Sequence, residues 1–377
     1  MSTATRLRDA QPARLDSPLP KGLHFELPPA LEATQPPEVI GTGRDDVRLL
    51  VSVGTRPPIN THFRQLPRFL DAGDVLLVNT SATMPASLRA HDDRGAEVEV
   101  HLSTRLPTGL WLVEIRALGA VASRPDFSDH TAATLDVAPD VTIHVLSRYR
   151  GSRRLWLAVI DTAGRSMPDV LARLGRPIRY RHVPADWPIE AYQTVFSDQP
   201  GSAEMPSASR PFTDAIVTEL VRRGVELAPL VLHTGVSSLE GGERPYPEWF
   251  RVPVVTAERV NAARDAGRRV VAIGTTAVRA IESAVDPTGR VIAREGWTDL
   301  VVTPASGVRA VDGLLTGWHE PEASHLLMLE AIAGRPALEL AYRAAIGSGY
   351  RWHEFGDTHL ILPDRAGLAS ADDRRAS

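Results

Sequence analysis

Cysteine is absent from all 377 residues, and lysine occurs once, at Lys21. The first absence removes disulfides, thiolate nucleophiles and cysteine-ligated zinc or iron–sulfur sites. The second leaves a lone lysine in a polar N-terminal stretch, a poor candidate for the Schiff-base amine of pyridoxal phosphate chemistry. No run approaches the roughly 18 consecutive apolar residues of a membrane span, so no transmembrane helix is expected. The first residues lack the apolar core of a secretory signal, and the expected compartment is the cytoplasm. A large excess of positive charge is missing too. The formal net charge of −4 argues against a surface coated for nonspecific nucleic-acid binding, while leaving room for a local basic groove. The twelve histidines show no His-Glu-x-x-His or similar spacing, and no metal site is expected.

What is present suffices for a large folded protein. The chain is 43% hydrophobic and longer than the roughly 250–300 residues at which single cores stop growing, so two domains are expected. Residues 1–22 are polar and aperiodic and read as a mobile arm; 364–377 are expected to fray likewise. Arg48–Val53 reads as a short buried strand, and Val75–Asn79 is a near-continuous apolar run, the pattern of a strand covered on both faces. Phe63 to Leu70 reads as a short helix. Residues 87–160 change character: Glu97–Leu102 and Trp111–Ile115 alternate at period two, and short runs at Val141–Val145 and Leu155–Val159 follow. Closely spaced short strands of this kind predict a small β-barrel inserted into a larger domain.

Beyond about residue 165 helical periodicity returns. Asp214 to Arg223 carries Ile216, Val217, Leu220 and Val221 on one face, with Thr213 as N-cap and Gly224 as stop. A strand over 225–232, a helix capped by Thr256 and running through Arg268, and a strand over 269–273 complete an α/β rhythm. The expected class is an α/β main domain, 23–86 and 161–363, with the barrel inserted at 87–160.

Four segments attract chemical interest. In Val270–Glu282 a strand ends at Gly274-Thr275-Thr276 and a helix begins at once, which suits either an anion-binding helix N-terminus or a plain threonine cap. Arg279 and Glu282 stand at i and i+3, as in an ordinary helix ion pair. Leu230-Val231-Leu232-His233 places a histidine at a strand end, as a proton-transfer group or a satisfied structural residue. Asp312 to Pro321 gathers Asp312, Trp318 and His319 in one loop, where Trp318 is either a base-stacking ring or a core plug. Tyr350 to Asp357 is the fourth.

Taken together, these segments resemble the S-adenosylmethionine:tRNA ribosyltransferase-isomerase family of queuosine biosynthesis. The resemblance runs from about Phe25 to Pro363. It includes Phe25-Glu26-Leu27-Pro28, Gly73–Asn79, Tyr192-Gln193-Thr194-Val195-Phe196, Gly274-Thr275-Thr276 with Arg279 and Glu282, Gly296–Asp299, Val311–Leu315 and Phe355-Gly356-Asp357. It implies an α/β domain with an inserted barrel. The reaction it implies consumes S-adenosylmethionine as a ribosyl donor to the amine of 7-aminomethyl-7-deazaguanine in tRNA, with no metal and no permanently bound cofactor. Such chemistry needs a base for the hydrogen beside the sulfonium, an acid near adenine and a polar cradle for the ribose hydroxyls. By chemical type, His233 and His319 are the expected proton-transfer groups and Asp312 a ribose or amine contact, with Glu282 completing the catalytic set. Gly274, Thr275, Thr276, Arg279 and Trp318 are the expected S-adenosylmethionine contacts.

The departures from the family pattern concentrate in loops. Asn-Asp-Thr-Arg-Val-Ile-Pro-Ala-Arg is here Asn79 to Ser87, without the acid or either arginine. Met-His-Ser-Glu is Pro245-Tyr246-Pro247-Glu248, and Val-Gly-Leu-Gly-Thr-Phe is Thr234 to Leu239. Loops on a rigid scaffold are where specificity resides. The sequence therefore reads as a paralogue, monomer or homodimer, with tRNA or a small molecule as acceptor. The alternative is a non-catalytic module that binds a nucleoside or RNA.

Overall fold

The computed structural model describes residues 22–364, apart from 42, 120–121, 151 and 237–244. The two expected terminal stretches thus lie almost wholly outside the described residues.

A mixed nine-stranded sheet forms the main layer. Its strand order is Arg294–Thr298, Glu248–Val252, Glu226–Leu232, Val75–Asn79, Val270–Ile273, Gly313–Gly317, Thr358–Leu362, Arg48–Val53, Ile59–His62. The central four, from Glu226–Leu232 to Gly313–Gly317, run parallel. Parallel strands must be covered on both faces, which is why Val75–Asn79 is apolar at almost every position. The pleat divides those side chains between two cores. Val75 and Leu77 face the helices Val254–Asp265, Thr275–Glu282, Ser324–Ala333 and Arg335–Gly347. Leu76 and Val78 face Asp214–Arg222 and the 3₁₀ turns of Phe63–Phe69.

Six antiparallel strands between Ser87 and Asp161 close into a barrel, in which Leu155–Asp161 pairs back onto Trp111–Ala117. Closure leaves no free edge. Val100, Ile115, Leu135, Ile143 and Trp156 fill its interior. An α/β domain with an inserted barrel, the architecture read from the sequence, is the one observed.

Local signals were less uniform. Thr213 caps its helix, its Oγ1 accepting from the Ile216 N–H at 3.4 Å, and Gly224 follows with φ +81°. Thr256 does not cap. The helix begins at Val254 after Pro253, whose fixed φ suits a helix entrance, and the Thr256 hydroxyl donates to the Pro229 carbonyl. Among the described residues, no helix is long and apolar enough to cross a membrane.

Candidate active site

The carboxyl ends of the parallel strands open into a cavity of about 520 Å³ beneath the barrel. Thr275 and Thr276, Thr234 and Gly235, and Gly317 to His319 each follow one strand and form its floor; His101, Ser103, Glu114 and Arg116 project from the barrel. Crevices at this edge of an α/β sheet collect the first turns of helices and the loops between layers.

Gly274 makes the floor possible. Its backbone, φ +86° and ψ 154°, lies where a β-carbon is not tolerated, and this turns the strand directly into the Thr275–Glu282 helix. Neither threonine caps that helix through its side chain, so the plain cap reading fails. Thr276 Oγ1 instead accepts from Asn79 Nδ2 at 3.3 Å, and Asn79 also holds both backbone groups of Leu232.

Arg279 and Glu282 do not pair. Each reaches a different segment. Arg279 forms an ion pair with Glu248 and donates to the carbonyls of Leu300 and Thr298 at 3.1 and 3.2 Å. Glu248 accepts in turn from the Gly235 N–H at 2.8 Å. Arg279 faces the cavity. Glu282 does not line it: its carboxylate takes the backbone N–H groups of Arg309 and Ala310 at 2.8–2.9 Å, and burial pushes its pKa up. Asp312 is placed at the opposite end of the sheet, where its Oδ2 accepts from the Val270 N–H at 2.9 Å. A ribose in the cavity is out of its reach. The sequence could not distinguish the two ends of a strand that had not yet been paired.

His319 lines the cavity and is held from three sides. Its Nε2 meets Thr316 Oγ1 at 2.9 Å, its N–H donates to the Tyr342 hydroxyl at 3.4 Å, and its carbonyl accepts from Trp352 Nε1 at 3.0 Å. Its ring stacks on His325, centroids 4.8 Å apart. Burial, with His325, His353 and His359 nearby, pulls its pKa well below the usual histidine value, so the imidazole is neutral at pH 7. Desolvation and then Arg279 lower His325 as well, an effect weakened by the exposure of its ring to the open cavity. Trp318 lines the cavity floor while most of its ring is packed in the core: it is 3% exposed, stacks on His359 at 4.8 Å and meets Tyr342 and Tyr350 edge-on.

His233 is absent from the cavity lining; the chain reaches the cavity one residue later, at Thr234. Its Nδ1 contacts Ser81 Oγ at 2.7 Å, which continues to Ser202 Oγ at 2.6 Å, and its ring stacks on Trp249. Burial and then Arg251 lower its pKa to about 4. Gly201 lies so close that any β-carbon there would overlap the imidazole.

Reading the sequence missed much of the opposite wall. His101, Tyr180, His182, His325 and His353 all line the cavity, as do Glu248 and Arg116. Each comes from a separate segment, and no local spacing joins them. Only the order of family-like motifs hinted at them, through the Tyr350–Asp357 cluster and through Glu248 at the end of an altered loop. Among the described residues no group of three or more histidine, aspartate or glutamate side chains is placed to hold a metal ion.

A polar cavity at the carboxyl edge of a parallel sheet, walled by imidazoles and carboxylates, is the arrangement of an α/β enzyme. Comparison with known proteins makes the assignment specific. The family model described as queuosine biosynthesis protein matches residues 21–361. The S-adenosylmethionine:tRNA ribosyltransferase-isomerase of Desulfitobacterium hafniense is 34% identical over 351 residues, covering 90% of this chain and 98% of the relative. That of Moorella thermoacetica is 34% identical over 355 residues with the same coverage. The crystal structure of S-adenosylmethionine tRNA ribosyltransferase from Thermotoga maritima superposes with a TM-score of 0.50 at 28% identity, covering 90% of this chain and 99% of that one. The chain belongs to the S-adenosylmethionine:tRNA ribosyltransferase-isomerase family, the transferase-isomerases of queuosine biosynthesis.

Proposed function

We propose that this protein transfers and isomerises the ribosyl unit of S-adenosylmethionine onto the amine of 7-aminomethyl-7-deazaguanine in tRNA. The charge inventory of the cavity carries the reading. Six glutamates and four arginines line it together with five histidines. Two of those arginines, Arg279 and Arg116, are paired with Glu248 and Glu114. The balance is anionic and proton-accepting, which suits a sulfonium cation and an amine and disfavours a phosphate. A tRNA entering such a site presents its base and keeps its backbone outside.

Within this reading the sulfonium acidifies the neighbouring C–H, and a neutral imidazole accepts that proton. The imidazolium so formed is an acid for the departing adenine. His319, neutral and fixed by Thr316, Tyr342 and Trp352, is the group we assign to this exchange. Thr275 and Thr276 offer hydroxyls and the free N–H groups of the helix start to the ribose. His319→Ala is expected to lower turnover by about 10²–10⁴-fold while S-adenosylmethionine affinity stays within a few-fold. Steady-state kinetics with calorimetric binding separate the two quantities. Unchanged turnover rejects the assignment.

A small-molecule amine is the second acceptor to consider. Two arginines of the family pattern are Ala82 and Ser87 here; Ala82 is buried, and Ser87 donates to Glu99 at 2.5 Å inside the fold. Fewer phosphate contacts are then available to hold a tRNA.

A further inference from the structure

The cavity lining holds a feature that this reading does not use. Tyr180, His182 and His353 form a column of three near-parallel rings. The Tyr180 and His182 centroids are 5.8 Å apart with planes at 13°, and those of His182 and His353 are 3.9 Å apart at 19°. His182 Nε2 sits 2.6 Å from Glu354 Oε2. All four residues line the cavity.

His353 is the unusual member. Its backbone lies in the left-handed region at φ +73°, a conformation that costs a non-glycine residue about 1–3 kcal/mol. The turn is pinned on both sides. Trp352 pairs with Leu31 and Ala33 through the backbone, Gly356 N–H donates to the His353 carbonyl at 3.0 Å, and Asp357 accepts from the Arg351 N–H at 2.7 Å. The side chain is 9% exposed, and its Nε2 has no hydrogen-bond partner. The nearest carboxylates, Glu32 and Glu320, stand 3.9 Å away, too far for a hydrogen bond and close enough to favour a cation between them. Leaving a buried ring nitrogen unpaired costs about 1–3 kcal/mol. A strained, stacked and unpaired imidazole in a substrate cavity is explained if its partner is the substrate.

We propose that His353, stacked on His182 and flanked by Glu32 and Glu320, is the subsite that binds the acceptor's primary ammonium and takes its proton. This rests on the functional reading above and assigns the residue that activates the nucleophile. The step balances: an N–H bond of the ammonium breaks, its electron pair stays on nitrogen as the attacking lone pair, and the proton forms a bond to Nε2. The two carboxylates offset the imidazolium, and Glu354 holds His182 beneath it. Burial lowers the pKa of His353, with His182 adding to this and Glu354, Glu320 and Glu32 opposing, so the resting ring carries no proton on Nε2 at neutral pH and the carboxylates offset the charge once it gains one.

The test compares wild type with His353→Gln and Glu320→Gln, using S-adenosylmethionine and tRNA bearing 7-aminomethyl-7-deazaguanine. Glu320 is exposed, so the second variant folds even if the first does not. Wild-type adenine release should level off near neutral pH. In His353→Gln it should fall at least 100-fold at pH 7 and climb about tenfold per pH unit toward the amine's own pKa, with S-adenosylmethionine affinity kept. Glu320→Gln should lose several-fold in kcat/KM. Wild-type behaviour in both variants overturns the proposal. Absence of adenine release from the wild type fails the functional reading instead, and calorimetry then judges the subsite alone. The free base 7-aminomethyl-7-deazaguanine should bind at least tenfold tighter than 7-methyl-7-deazaguanine, which lacks the amine. Equal affinity overturns the subsite.

Discussion

Arg279→Ala should destabilise the protein by about 3–5 kcal/mol, the cost of stranding one partner of a buried ion pair. The Arg279 and Glu248 side chains are 10% and 13% exposed. Arg279 joins the Thr275–Glu282 helix to the carbonyls of Leu300 and Thr298, and Glu248 passes the connection to the Gly235 N–H. Three segments of the cavity rim therefore meet at one guanidinium, and Glu248 ties a fourth to it. Alanine removes the cation and leaves a carboxylate without compensation, together with two carbonyls. Glu248→Gln keeps the shape and most hydrogen bonds and should cost less, about 1–3 kcal/mol. Urea unfolding at pH 7 measures both. A loss below about 1 kcal/mol for Arg279→Ala would mean that water already screens the pair.

Stability should also fall steeply on mild acidification, and His359 is the main reason. This side chain is fully buried, with Nε2 2.8 Å from Ser52 Oγ and its face on Trp318. Burial pushes its pKa to about 3. An unfolded histidine titrates near about 6.5. Below that pH the unfolded chain binds a proton that the native state refuses, so the unfolding free energy drops by ~1.4 kcal/mol per pH unit until the native pKa is reached. From pH 7 to 4.5 that amounts to a loss of roughly 3 kcal/mol from this residue. His319 and His233 act in the same direction, and His325 does so more weakly because it faces the open cavity. Above pH 6.5 none of these groups contributes a slope. Denaturant titrations at pH 7 and 4.5 should show a loss of at least about 3 kcal/mol. His359→Asn, less stable at pH 7, should shrink that pH-dependent loss by the share of one proton. An equal loss in the variant would place the acid sensitivity elsewhere.

Physical periodicity accounts for what the sequence revealed. Val75–Asn79 and Val270–Ile273 are strands because sheets covered twice need apolar residues throughout, and the barrel betrayed itself by alternation. Caps were harder. Thr213 behaves as its type suggests, whereas Thr256 and Thr275 do not, because Pro253 and Gly274 already set the entry geometry. At the site, Thr275, Thr276, Arg279 and His319 do line one cavity. Asp312 and Glu282 look similar on paper, yet their carboxylates serve backbone N–H groups elsewhere. His101, His182, His325 and His353 escaped notice because only tertiary contact between the barrel, the loop after it, the Ser324–Ala333 helix and the last turn before Thr358–Leu362 brings them together.

The most direct measurement is adenine release from S-adenosylmethionine by the purified protein, followed by chromatography with and without tRNA bearing 7-aminomethyl-7-deazaguanine. The account predicts adenine and methionine in equal amounts only when that tRNA is present, and ribosyl-derived mass on the modified nucleoside. Measurable S-adenosylmethionine binding with no adenine released, whatever amine is supplied, would contradict it and leave a binding protein built on an enzyme's fold.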